Sequence, residues 1–100
     1  MSNNCPVVAV FGMLSKQWVL NILYNIGNGK NKFSTLKKEL GAISSKTLSS
    51  RLKELQEDGI IIRSIISEQP IKIEYTLSEK GLSLSKELNN LSKWAREWRD

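Results

Sequence analysis

The chain of 100 residues contains no histidine and a single cysteine. Without histidine, the commonest general base and metal ligand near neutral pH is missing. One thiol can neither staple the chain to itself nor build a zinc site. Acids are present, but none falls into a recognisable catalytic pair, so an enzyme is not expected and neither a metal nor a cofactor is called for. No apolar run reaches the roughly 18 residues of a membrane span. The opening MSNNCPVVAVFGML lacks the basic start and small-residue cleavage site of a signal peptide, which makes the cytoplasm the default expectation. The stretch Gly27-Asn28-Gly29-Lys30 resembles a phosphate loop only in passing. Asn31 stands where Ser or Thr should follow the lysine, and Tyr24 stands where the first glycine belongs. A turn between helices is the simpler reading. No linker, repeat or low-complexity tail interrupts the chain, so residues 1–100 read as one domain. A chain this short buries only a modest core, and dimerisation would help it.

What is present is positive charge, concentrated in one segment. The net charge is +5. Between Lys30 and Lys53 seven cations (Lys30, Lys32, Lys37, Lys38, Lys46, Arg51 and Lys53) face one acid, Glu39. From Glu54 to Asp100 seven cations meet nine acids. A local positive field attracts polyanions, so the segment matters more than the total.

Capping and periodicity order the rest. Pro6 fits a first helical position, and a short apolar helix follows over about 7–14. Ser15 reads as the cap of a second helix, Lys16 to Ile26. Its stripe of Trp18, Val19, Ile22, Leu23 and Ile26 faces a core, and Gly27-Asn28-Gly29 ends it. Ser34 reads as the cap of a short helix, Thr35 to Leu40, closed by Gly41. Ser44 then caps a helix over about 45–57, stopped by Asp58-Gly59. With Ser44 as cap, Ile43 and Leu48 occupy the two positions of a hydrophobic staple. The period changes to two at Ile71-Lys72-Ile73-Glu74-Tyr75-Thr76-Leu77, a half-buried strand. Ile60 to Ile66, rich in isoleucine, reads as its partner strand with its facing left open, and Ser67-Glu68-Gln69-Pro70 as the turn. Ser78 caps a last helix, about 79–98, amphipathic at Leu84, Leu88, Leu91, Ala95 and Trp98. Spacings of four and three suit packing against a partner helix. A short helix, a tight turn, a second helix and a hairpin make a winged helix-turn-helix, mainly α with a small β-hairpin wing over about 60–77.

The helix over about 45–57 is the candidate reader of DNA. Stepping 100° per residue from Leu48 brings Leu52 and Leu55 to its side, while Lys46, Ser50, Lys53 and Glu57 point the other way and Ser49 lies on a flank. In a helix-turn-helix the N-terminal part of the second helix meets base edges. Lysines donate to guanine, and the hydroxyls of Ser45, Thr47, Ser49 and Ser50 donate or accept. Acids would repel phosphates, and none occurs there before Glu54. A plain solvated face is the alternative. Arg51, at the edge of the buried face, either reaches a phosphate or pairs with Glu54 three residues on. Lys37 and Lys38 are backbone contacts or ordinary surface lysines. Arg63 and Lys72 suit a wing on the backbone or minor groove, although Glu68 and Glu74 dilute its charge.

These residues resemble the HxlR-type branch of winged-helix transcriptional regulators, relatives of the MarR group. The likeness rests on Cys5-Pro6-Val7 and Trp18, on Phe33-Ser34-x-Leu36, and on Ile43-Ser44-x-Lys46-x-Leu48-x-x-Arg51-Leu52-x-Glu54-Leu55. It continues through Asp58-Gly59, Arg63, Pro70, Glu74-Tyr75-x-Leu77-Ser78 and Gly81. It departs where Ser15-Lys16-Gln17 replaces the family's Gly-Gly-Lys and Ser45 replaces a proline. Ile71 replaces a second proline, Lys72 an arginine, and Val8 and Ala9 charged residues. The resemblance implies a homodimeric repressor or activator that binds a double-stranded DNA operator, each protomer placing its 45–53 segment in a major groove. It implies dimerisation through the N- and C-terminal helices, with Val7, Val10, Leu84, Leu88, Leu91, Trp94, Ala95 and Trp98 as contacts. Some relatives sense electrophiles or oxidants through the cysteine matching Cys5, so a small-molecule or oxidant effector is a further expectation. A free cysteine is also often a small apolar residue and nothing more. A non-specific architectural DNA-binding protein, or an interaction module on a winged fold, would use the same elements.

Overall fold

A computed structural model describes residues 6–99, so Cys5 lies outside the described residues. The order is α1 (Pro6–Leu14), α2 (Val19–Gly27), α3 (Phe33–Leu40), α4 (Ser45–Glu57), β1 (Ile61–Glu68), β2 (Ile71–Leu77) and α5 (Glu79–Trp98). The core is built where the apolar stripes converge. Val19, Ile22, Leu23 and Ile26 of α2 meet Leu36 of α3, and Leu48, Leu52 and Leu55 of α4 close over them. Ile60, Ile61 and Tyr75 seal the base of the hairpin. This is a winged helix-turn-helix, mostly α, as the capping pattern predicts.

Two helix starts differ from the capping signals. Ser15 does not cap α2; its hydroxyl donates back to the Gly12 carbonyl at 3.2 Å. The helix begins three residues later than predicted, after Trp18, which takes the left-handed conformation at φ 78°. Ser15 finds a nearer acceptor in the preceding helix, as hydroxyls near chain bends do. Trp18 itself packs half-buried against the core. Ser34 is likewise not a cap. It lies inside α3, which begins at Phe33 after an extended Lys32 with no side-chain cap bond.

The hairpin pairs Ile61 with Leu77, Arg63 with Tyr75 and Ile65 with Ile73. A bulge at Ile66 shifts the register, after which Ser67 pairs with Lys72. The strand runs through Ser67 and Glu68, so the turn is Gln69-Pro70 alone, joined by a cis peptide bond. Directly opposed residues share a face. Arg63 therefore lies with Tyr75, Ile65 and Ile73, and Lys72 lies on the other face with Ser67. Exposure rises from Ile61 and Tyr75 at the buried base to Ile65 and Ile71 at the exposed tip, so the outer half projects as a wing.

Ser78 anchors α5. Its hydroxyl accepts from the Gly81 amide at 3.0 Å and reaches the Gly59 carbonyl, and its own amide bonds the Ile60 carbonyl at 3.0 Å. Gly81 is required here, because a Cβ would run into the Ile60 carbonyl. Among the described residues, no single helix is long and apolar enough to cross a membrane.

Candidate nucleic-acid interface

Ser44 starts α4 in an extended conformation, and its Oγ accepts from the Thr47 amide at 3.0 Å. The same hydroxyl donates to Thr47 Oγ1 at 2.9 Å. Ile43 and Leu48 are both buried, so the staple is closed. Leu48, Leu52 and Leu55 are each 1% exposed or less, which fixes the rotation of the helix about its axis. Everything else on α4 follows from that rotation.

Ser45, Lys46, Ser49, Ser50 and Lys53 all end up exposed. Thr47 is half-buried and drawn into the cap. Among the described residues, no carboxylate lies within 4.0 Å of Lys46 or Lys53, and Glu57, four residues after Lys53, does not pair with it. The outward face thus offers three hydroxyls and two unpaired ammonium groups. Such a face can donate to guanine O6 and N7 and to phosphate oxygens.

Arg51 is placed otherwise. Its Nε donates to the Gln17 main-chain carbonyl at 2.9 Å, and Nη1 lies 3.5 Å from Glu54 Oε1. Of the two partners the sequence leaves open, the structure supplies Glu54. Gln17 is one that sequence reasoning missed. No sequence signal marks it, because the acceptor is main-chain and lies 34 residues away.

The other candidate cations lie on α3, just before it, and on the wing. Lys37 is half-buried and Lys38 exposed, both in the last turn of α3, where cations suit the helix dipole. Lys30 is paired with Glu39 at 3.7 Å. Arg63 and Lys72 are both exposed but on opposite faces of the wing. They do not form one patch.

The residues expected at a dimer contact divide into two groups. Leu84 and Leu88 pack half-buried against the core of their own chain. Val7, Val10, Leu91, Trp94, Ala95 and Trp98 are exposed. Beside them, Leu20 and Tyr24 of α2 are exposed and line a cleft of about 860 Å³ with Leu88, Leu91 and Ala95 of α5. Those two lie off the core stripe of α2, where a single apolar residue is unremarkable in sequence.

This geometry has close counterparts. The HxlR-like helix-turn-helix family matches residues 13–100. The HTH-type transcriptional regulator YvaP of Bacillus subtilis (strain 168) is 44% identical over 100 residues, covering 99% of this chain and 93% of YvaP. The reduced form of the transcriptional regulator YodB from B. subtilis superposes with a TM-score of 0.84 at 33% identity, over 96% of this chain and 95% of YodB. YodB has also been solved diamide-treated and quinone-bound. The redox regulator HypR in its reduced form superposes with a TM-score of 0.86 at 28% identity, over 96% and 95% of the two chains. With the winged fold, the hydroxyl-and-lysine face of α4 and these relatives in agreement, the chain belongs to the HxlR-like helix-turn-helix family of transcriptional regulators.

Proposed function

We propose that the chain acts as a homodimeric, sequence-specific DNA-binding regulator. Each α4 enters a major groove with Ser45, Lys46, Ser49, Ser50 and Lys53, and the wing lies along the backbone or the minor groove. The observation that carries this reading is the outward face of α4, exposed and without an acid until Glu57. The dimer is supported by α1, PVVAVFGML, which holds no charge and buries only Leu14. Exposed apolar patches of this kind mark interaction sites. Two copies related by a two-fold axis would read two half-sites about one helical turn apart.

The test is selection of duplexes from a random-sequence pool, followed by competition with scrambled DNA. A preference of about a thousandfold or more is expected. Equal affinity for both would make the protein an architectural DNA coat instead. Sedimentation at the same concentrations should show a dimer.

Cys5 enters as a thiol sensor in the same proposal. Being the only thiol, it forms disulfides only between chains or with a small thiol. The redox regulator HypR and the diamide-treated and quinone-bound forms of YodB support this part. Mild oxidant should produce an adduct or a covalent dimer on a non-reducing gel and change DNA binding, and Cys5→Ser should abolish both. Unchanged binding after oxidation removes the sensor.

A further inference from the structure

We infer that Arg51 is a positioning residue: it seats the recognition helix by clasping the α1–α2 linker rather than by touching DNA. The inference rests on the reading of α4 as the helix that enters the groove. Arg51 lies about 140–160° round the helix from Lys46 and Lys53, so it points away from the exposed face. Its side chain is 22% exposed. Nε holds the Gln17 carbonyl at 2.9 Å, and Nη1 lies 3.5 Å from Glu54 Oε1. The same Glu54 oxygen lies 3.6 Å from Lys16 Nζ. Two residues of the linker and two of α4 therefore form one clasp.

The linker needs holding. It falls between two helices, and Trp18 beside Gln17 sits at φ 78°. A bulky residue in the left-handed region persists only where its surroundings over-determine it. A planar guanidinium provides two donors in a fixed fork, which a lysine ammonium cannot copy. Because the linker continues from α1, the clasp also ties the helix of the proposed dimer contact to α4.

Arg51→Ala and Arg51→Lys separate the two roles on the duplex that wild type selects from a random pool. The clasp predicts that both variants bind this duplex about tenfold more weakly, with scrambled-DNA affinity and the salt slope of wild type. A phosphate contact predicts that Arg51→Lys binds normally and Arg51→Ala loses about 0.9 from the slope; that result overturns the inference. Hydrogen exchange at residues 16–19 should quicken in both variants, and wild-type protection there also overturns it. If Arg51→Ala does not fold, Arg51→Lys alone decides by the same readouts. A wild-type protein that selects no duplex removes the reading of α4, while hydrogen exchange in Arg51→Lys still tests the clasp.

Discussion

Helices α4 and α5 begin alike and end differently. Each is capped by a serine hydroxyl, Ser44 or Ser78, and each carries leucines at helical spacing. In α4 all three leucines are buried within one chain. In α5 only Gly81 is fully buried, while Leu91 stands 50%, Trp94 59% and Trp98 72% exposed. The apolar surface of α4 is thus satisfied by its own fold, and what remains is polar and basic. Beyond Leu88 that of α5, like most of that of α1, stays exposed. One helix presents a polar, basic face to solvent, and the other an apolar one.

Cutting a leucine from each helix breaks the comparison most severely. Leu52→Ala should cost about 2–5 kcal/mol of folding stability, read by urea denaturation. Leu91→Ala, measured on dilute protein, should change stability by no more than about 0.5 kcal/mol. Similar costs for both would mean that α5 is as much a part of the core as α4. Charging the exposed end of α5 comes next. Trp94→Glu combined with Trp98→Glu should leave a folded monomer that binds the full operator about a hundredfold more weakly, through loss of the second half-site. A dimer that persists in sedimentation would place the interface elsewhere.

Smaller effects sharpen the polar side. Lys46→Ala and Lys53→Ala should each flatten the dependence of log affinity on log salt by about 0.9, without changing the oligomer. An unaltered slope for both would remove α4 from the DNA. Smallest is the wing. Since Arg63 and Lys72 lie on opposite faces, only one of Arg63→Ala and Lys72→Ala should move the salt slope. Equal changes would require the wing to be gripped from both sides.

Much of this was legible in the sequence. The Ser44 cap, the staple of Ile43 and Leu48, the leucine stripe and the Ser78 cap are interactions spanning three to five residues. Local spacing is enough to specify them. The exposed set on α4 followed at once, because three buried leucines leave only one rotation. The starts of α2 and α3 were not legible. Ser15 and Ser34 look like Ser44 in sequence, yet Ser15 bonds back to Gly12 and Ser34 lies one residue inside its helix. A serine before a stripe signals a cap only when the chain arrives extended, as it does at Ser44. For the terminal helices, the sequence predicted contacts without separating Leu84 and Leu88, which their own core half-covers, from Trp94 and Trp98, which it does not.

By itself, the sequence determined the apolar stripes of α2 and α4, the alternation of β2, the caps of α4 and α5, the basic surplus between Lys30 and Lys53 and the lack of acids over the first turns of α4. All of these are set within a few turns of chain. Only the tertiary structure decided that Arg51 turns to a carbonyl 34 residues away, that the strand register pairs Arg63 with Tyr75 and so parts it from Lys72, and that α1 and the end of α5 stay uncovered. Those outcomes depend on which distant surfaces meet. Helical spacing says which side of an element is apolar, but not whether one chain has enough neighbouring surface to cover it.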